Sequence, residues 1–172
     1  MEQNKKNFIK KSKLVLPLKR GDAKGDNGKL LIVGGSEDFT GAIALAGIAA
    51  LRSGCDWVSV CAPDKVGWAV SSLSADLIVR KLKGEHLKKS HLREVLDLSK
   101  KHDVVLIGNG IGKKSGELIR EFIKKANKTL VIDADAIKEV KLQDLSNCIL
   151  TPHKKEFESL LNWFEHDSKK PK

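Results

Sequence analysis

Short apolar runs alternate along this chain with longer amphipathic stretches. Leu30–Val33, Trp57–Ala62, Val104–Ile107, Leu130–Ile132 and the pair Ile149 and Leu150 are runs of strand length, and Asp76–Leu82 is a further strand candidate. Between them apolar residues recur at helical spacing. Ala42, Leu45, Ala46 and Ala49 form the first such set and Val66 to Leu73 the second; Leu92, Val95, Leu96 and Ser99 follow a candidate cap at Ser90. Leu118, Ile119 and Phe122 mark the next helix, and Ala136–Val140 a short last one. Strands alternating with helices form a parallel sheet covered on both faces, so the pattern predicts a doubly wound α/β domain. The small residues of the first helix predict that Ala42, Leu45, Ala46 and Ala49 lie close against the sheet.

Glycines punctuate the ends of two of these strands. Gly34, Gly35 and Ser36 follow the first, where a bare backbone bends sharply and the amides opening the next helix face any bound anion. They are candidates for phosphate contact, with an ordinary α/β turn as the alternative. Gly108, Gly110 and Gly112 follow the strand Val104–Ile107, and Asp133 ends the next strand, which mimics part of a dinucleotide fingerprint. Lys113 stands where that fingerprint needs its third glycine, so a Rossmann dehydrogenase is the weaker reading. Asp133 and Asp135 fall at the strand end where open parallel sheets bind ligands. One of them caps the following short helix; we assign the cap to Asp135 and the functional role to Asp133, which there holds Mg²⁺ through waters beside nucleotide phosphates. His153 stands at the mouth of the last strand with Glu156 one helical turn on.

Composition narrows the partners. The 172 residues suit one domain, residues 1–172, with a real core, since a chain this long buries about 70% of its unfolded surface. A net charge of +10 fits an anionic small-molecule ligand better than nucleic acid, because there is no Tyr and aromatic residues make up only 5%. Cys55, Cys61 and Cys148 lack the paired spacing of a zinc site or a disulfide framework and read as core thiols. The basic N-terminal stretch lacks the apolar run of a secretory signal and no segment has the length of a membrane span, which leads us to expect a cytoplasmic protein. Residues 1–12 and 164–172 are polar and expected to be flexible, with Leu14–Leu18 the first anchors.

Several stretches then carry a resemblance. KGDNGKLLIVGGS from Lys24, TGAIALAGIAALRSG from Thr40, the strand WVSVCAP, LIGNGIG at Leu106–Gly112, and VIDADAI followed by LTPHKKEF are similar, in order, to the ADP- or ATP-dependent NAD(P)H-hydrate dehydratases, which have the ribokinase-like fold. The resemblance runs from about Lys13 to Leu161 and covers the first part of the family's domain; Asn109 replaces a proline usual there. It implies that Ala42, Gly110 and His153 touch the hydrated nicotinamide nucleotide, that Gly34, Gly35, Ser36, Gly108 and Gly112 line nucleotide phosphates, and that Asp133 and Glu156 place Mg²⁺. The implied reaction phosphorylates the added hydroxyl of NADH or NADPH hydrate from ADP or ATP and then eliminates phosphate. The family's catalytic aspartate belongs to a later G-x-G-D segment that does not occur in this sequence, and the residues after His153 hold no glycine. We therefore expect a complementary C-terminal segment or a second copy to complete the site. A non-catalytic nucleotide-binding subunit and a ribokinase-like small-molecule kinase are the alternative functions.

Overall fold

The computed structural model describes residues 21–167. Expectations for Leu14–Leu18 and for both terminal segments beyond these bounds lie outside the described residues. The elements are β1 (Lys29–Val33), α1 (Thr40–Arg52), β2 (Trp57–Pro63), α2 (Asp64–Leu73), β3 (Ile78–Leu82), α3 (Leu92–Ser99), β4 (Val104–Ile107), α4 (Gly116–Lys125), β5 (Thr129–Ile132), β6 (Cys148–Leu150) and α5 (Lys154–Asp167). Short 3-10 turns occupy Lys89–His91, Lys113–Ser115, Ala134–Glu139 and Leu142–Asp144. The helix expected from Ala136 is thus a 3-10 turn that begins at Ala134. At the other end of the chain α5 continues past Trp163 to Asp167.

All six strands pair in parallel, in the order β3-β2-β1-β4-β5-β6. Alternate residues of each strand feed two separate cores, as the twofold period of a strand requires. Leu31, Val33, Cys61, Val105, Ile107, Leu130 and Ile132 join Val95 of α3 and Leu118, Ile119 and Phe122 of α4 on one face. Ile32, Val58, Val60 and Ala62 join Ile43 and Ala44 of α1 and Val66 and Val70 of α2 on the other. The result is a three-layer αβα domain.

Two local expectations are corrected. The face of α1 that meets the sheet is Ile43, Ala44 and Gly47, while Leu45 and Ala49 are exposed. Branched Ile43 buries more apolar surface than any alanine can, and at Gly47 the Leu77 side chain comes so near that an added Cβ would lie 2.7 Å from it. Ser90 does not cap α3; it lies inside the preceding 3-10 turn. That turn is closed by Lys88 N–H donating to His91 Nδ1 at 3.0 Å.

The loop ahead of β1 is fastened at the opposite end of the sheet from the strand exits. Asp56 Oδ2 accepts hydrogen bonds from Gly25 N, Asn27 N and Asn27 Nδ2 at 2.9, 3.1 and 2.9 Å. The GDNG stretch of the resemblance is therefore a receptacle for this chain's own carboxylate, which fixes the approach of the chain to β1.

Candidate functional site

Parallel strands bring all their exits to one edge. Gly34 after β1, Gly110 after β4, Asp133 after β5 and His153 after β6 share that edge, as the sequence predicted. Strand order reverses between β1 and β4, and open parallel sheets bind ligands at the strand exits of such a switch point.

The two glycine loops meet at this switch point and touch one another. Gly35 N donates to the Asn109 carbonyl at 2.9 Å, and a Cβ built on Gly112 would lie 3.7 Å from that of Ser36. Gly110 lies against Phe39 and Ala42, with 3.4 Å between its built Cβ and the Ala42 Cβ. The structure thus brings Ser36 to Gly112 and Ala42 to Gly110. Gly108 acts differently, on the backbone of the neighbouring strand. At φ 122° its Cα faces the Asp133 carbonyl so closely that a Cβ would sit 1.9 Å from that oxygen. Only glycine allows the β4 exit to lie on the β5 exit there.

Asp133 is held from two sides. Its Oδ2 accepts from Asn109 Nδ2 at 2.8 Å, and its Oδ1 accepts from the Thr151 hydroxyl at 2.6 Å. The next residue, Ala134, has φ 50°, a left-handed conformation that costs an L-residue about 1 kcal/mol or more. Asp133 also occupies the cap position of the 3-10 turn, without a side-chain capping bond, while Asp135 pairs with Lys138 at 2.9 Å. The division in which Asp135 caps the turn is corrected accordingly. Asp135 is already inside the turn, where a lysine three residues on is its natural partner.

His153 and Glu156 form a capping box at the start of α5. His153 Nδ1 accepts from Lys155 N at 3.1 Å and Glu156 N at 3.4 Å, and Glu156 Oε2 accepts in return from His153 N at 3.0 Å. An Nδ1 that accepts leaves the ring proton on Nε2, which points to Glu156 Oε1 at 3.3 Å. Both oxygens of Glu156 thus serve His153. A cleft of about 390 Å³ opens beside this pair, floored by Ile137, Val140 and Leu160 and rimmed by Lys138 and Lys155.

Among the described residues no group of three or more His, Cys, Asp or Glu side chains is placed to hold a metal ion. Asp133 and Glu156 each have partners of their own, Asn109 and Thr151 on the first and His153 on the second. A Mg²⁺ that keeps its waters and sits mainly on nucleotide phosphates does fit Asp133, whose oxygens retain lone pairs beyond the two bonds described. Phe39, 58% exposed next to Gly110, and the Asn109 side chain bonded to Asp133 stand at this edge with no motif to mark their place. The only signal for Phe39 was an aromatic in an otherwise polar turn.

Two glycine loops in contact at a switch point, with a braced carboxylate one strand away, belong to a doubly wound α/β protein. A ribokinase-like superfamily protein from Enterococcus faecalis superposes with a TM-score of 0.68 at 21% identity, over 82% of this chain and 51% of that one. The ADP/ATP-dependent NAD(P)H-hydrate dehydratase from Bacillus subtilis, co-crystallised with ATP and Mg²⁺, superposes with a TM-score of 0.66 at 23% identity, over 90% of this chain and 55% of that one. The fold is ribokinase-like. A family model described as NAD(P)H-hydrate dehydratase matches residues 30–171, and the chain belongs to that family. The bifunctional NAD(P)H-hydrate repair enzyme Nnr of Methanothermobacter thermautotrophicus is 42% identical over an alignment of 156 residues that covers 85% of this chain and 30% of that protein. The chain therefore spans under a third of that relative and about half of the two solved structures.

Proposed function

We propose that this chain serves metabolite repair, in the nucleotide-dependent dehydration of NADH or NADPH hydrate back to the reduced cofactor. The observation that carries the reading is the pairing of two glycine loops at the switch point with the braced Asp133, inside a segment that the dehydratase family model covers. In this reading Ala42, Gly110 and His153 meet the hydrated ring, and Gly34, Gly35, Ser36, Gly108 and Gly112 meet phosphates. ADP or ATP gives a phosphoryl group to the ring hydroxyl, and loss of that group as phosphate, with a ring proton, restores the double bond. Mg²⁺ supplies charge neutralisation for the transfer. The chain's own part is to bind and orient: loop amides receive phosphate oxygens, and Asp133 receives metal-bound water. Glu156 holds His153 and, with Asp133, helps to place the hydrated Mg²⁺.

The same reading gives the open side of β6 a partner. Among the described residues β6 pairs with β5 alone, and Ile149 of β6 and Phe157 and Leu161 of α5 are exposed. An unpaired strand edge flanked by apolar side chains is covered by a further strand and helix, from a complementary C-terminal segment or from a second copy. Cytoplasmic location belongs to this reading as well. The decisive experiment is recovery of nicotinamide absorbance from purified NADPH hydrate with ADP or ATP and Mg²⁺, for the chain alone and with the C-terminal half of a relative added. Recovery in either mixture is expected. No recovery in both, with no detectable nucleotide or hydrate binding, overturns the reading.

A further inference from the structure

Asn109 stands between Gly108 and Gly110 in the loop after β4, and its side chain turns toward the β5 exit. Its amide nitrogen donates to Asp133 Oδ2 at 2.8 Å. A carboxylate oxygen only accepts, so this contact fixes which end of the amide faces Asp133, and Oδ1 points away. There Oδ1 is buried with no hydrogen-bond partner. Leaving a buried amide oxygen unpaired costs about 1–3 kcal/mol, and an apolar residue of the same size escapes that penalty. A side chain kept for packing alone would therefore be apolar, or satisfied at both ends. Among the described residues the Asn109 side chain bonds to Asp133 alone, whose other oxygen is taken by Thr151. The two donors come from the exits of β4 and β6, on opposite sides of β5 in the sheet, so the carboxylate is pinned between both neighbours of its own strand.

We propose that Asn109 is a positioning residue for Asp133: its amide and the Thr151 hydroxyl together lock the carboxylate in the one orientation in which its remaining lone pairs face the ligand. The inference rests on the reading of this edge as a nucleotide or hydrate site. Thr151 enters the same device as the second brace, which explains a hydroxyl residue directly before Pro152 and His153. Locking the carboxylate before the ligand arrives removes an ordering cost from binding.

The test has two arms. In the ligand-free 172-residue protein, the Asn109 side-chain NH₂ signal in a ¹⁵N–¹H spectrum is expected to move on Asp133→Ala and on Thr151→Val, and to stay in place for Thr151→Ser. An NH₂ signal indifferent to Asp133→Ala overturns the clamp whatever the protein binds. In the second arm calorimetry follows NADPH hydrate and Mg²⁺–ADP. Asn109→Leu is expected to keep its melting temperature within about 4 °C while losing about tenfold in affinity. In an Asp133→Ala background the same substitution is expected to change affinity no further, because its effect passes through the missing carboxylate. Unchanged affinity in Asn109→Leu, or an equal loss in both backgrounds, overturns the positioning role and leaves the site reading intact. Failure of the unaltered protein to bind either probe, both alone and with the C-terminal half of a relative added, overturns the site reading itself, while the spectroscopic arm still decides the clamp.

Discussion

His102 lies buried beneath α3 with both ring nitrogens engaged. Nδ1 meets the Leu98 carbonyl at 2.8 Å, and since a carbonyl only accepts, the proton is on Nδ1; Nε2 then accepts from the Ser59 hydroxyl at 2.8 Å. Ser59 in turn accepts from Trp57 Nε1 at 3.1 Å, so the whole string suits a neutral imidazole. Burial holds His102 below its ordinary value, opposed in part by the Leu98 carbonyl and Asp103, while Lys128 and Lys29 act in the same direction as burial. The sign follows: stability is complete above the unfolded histidine range near 6.5 and falls as the pH drops from there, because only the unfolded chain then takes up the proton. His86 is lowered too, by burial first and then by Lys88 and Lys114, and adds to the same slope. Urea midpoints are expected to decline from pH 7.5 to pH 5, less steeply in His102→Gln; equal slopes would refute the assignment. Gly108 carries a separate expectation. Gly108→Ala must push the Asp133 carbonyl away, so a loss of about 2 kcal/mol or more is expected in chemical denaturation.

At the scale of the element, the start of α5 shows a residue with two duties. Removing the cap with His153→Ala is expected to cost about 1 kcal/mol, read as a lower melting temperature. His153→Asn keeps a capping side chain without the imidazole. It is expected to hold most of the stability and to weaken NADPH hydrate binding in calorimetry; full affinity in the Asn variant would reduce His153 to a cap. The existence and order of the elements were legible in the sequence, because buried strands are short apolar runs and amphipathic helices repeat at their own period. The phase of α1 was not. Ala42, Leu45, Ala46 and Ala49 and the truly buried Ile43, Ala44 and Gly47 both keep helical spacing, and only the neighbours Leu77 and Ile32 decide between them. Glycines and the aspartate announced the site's edge through their place after strands. The Asn109–Asp133–Thr151 brace stayed invisible, since it joins three loops that meet only once the sheet order is known.

In the whole molecule the two ends of the sheet are built for opposite purposes. One end is closed by Asp56 gripping the loop before β1, and the other keeps its glycine loops and the cleft beside His153. Asp56→Ala is expected to lower the melting temperature while leaving nucleotide affinity unchanged, since the grip lies at the far end from the strand exits; a matching loss of affinity would show that the ends are coupled. The three thiols also differ by depth. Cys61, in the middle of β2, has no exposed surface, and burial first and Glu94 second push its thiol up to about 12. Cys55 and Cys148 are only partly buried. A thiol-reactive dye at neutral pH thus has two early targets and one that it meets only after β2 leaves the sheet. Cys61 makes the protein its own unfolding clock: the rate at which this single sulfur becomes alkylated counts openings of the central sheet, and slowing of that clock by a nucleotide reports binding without any assay of catalysis.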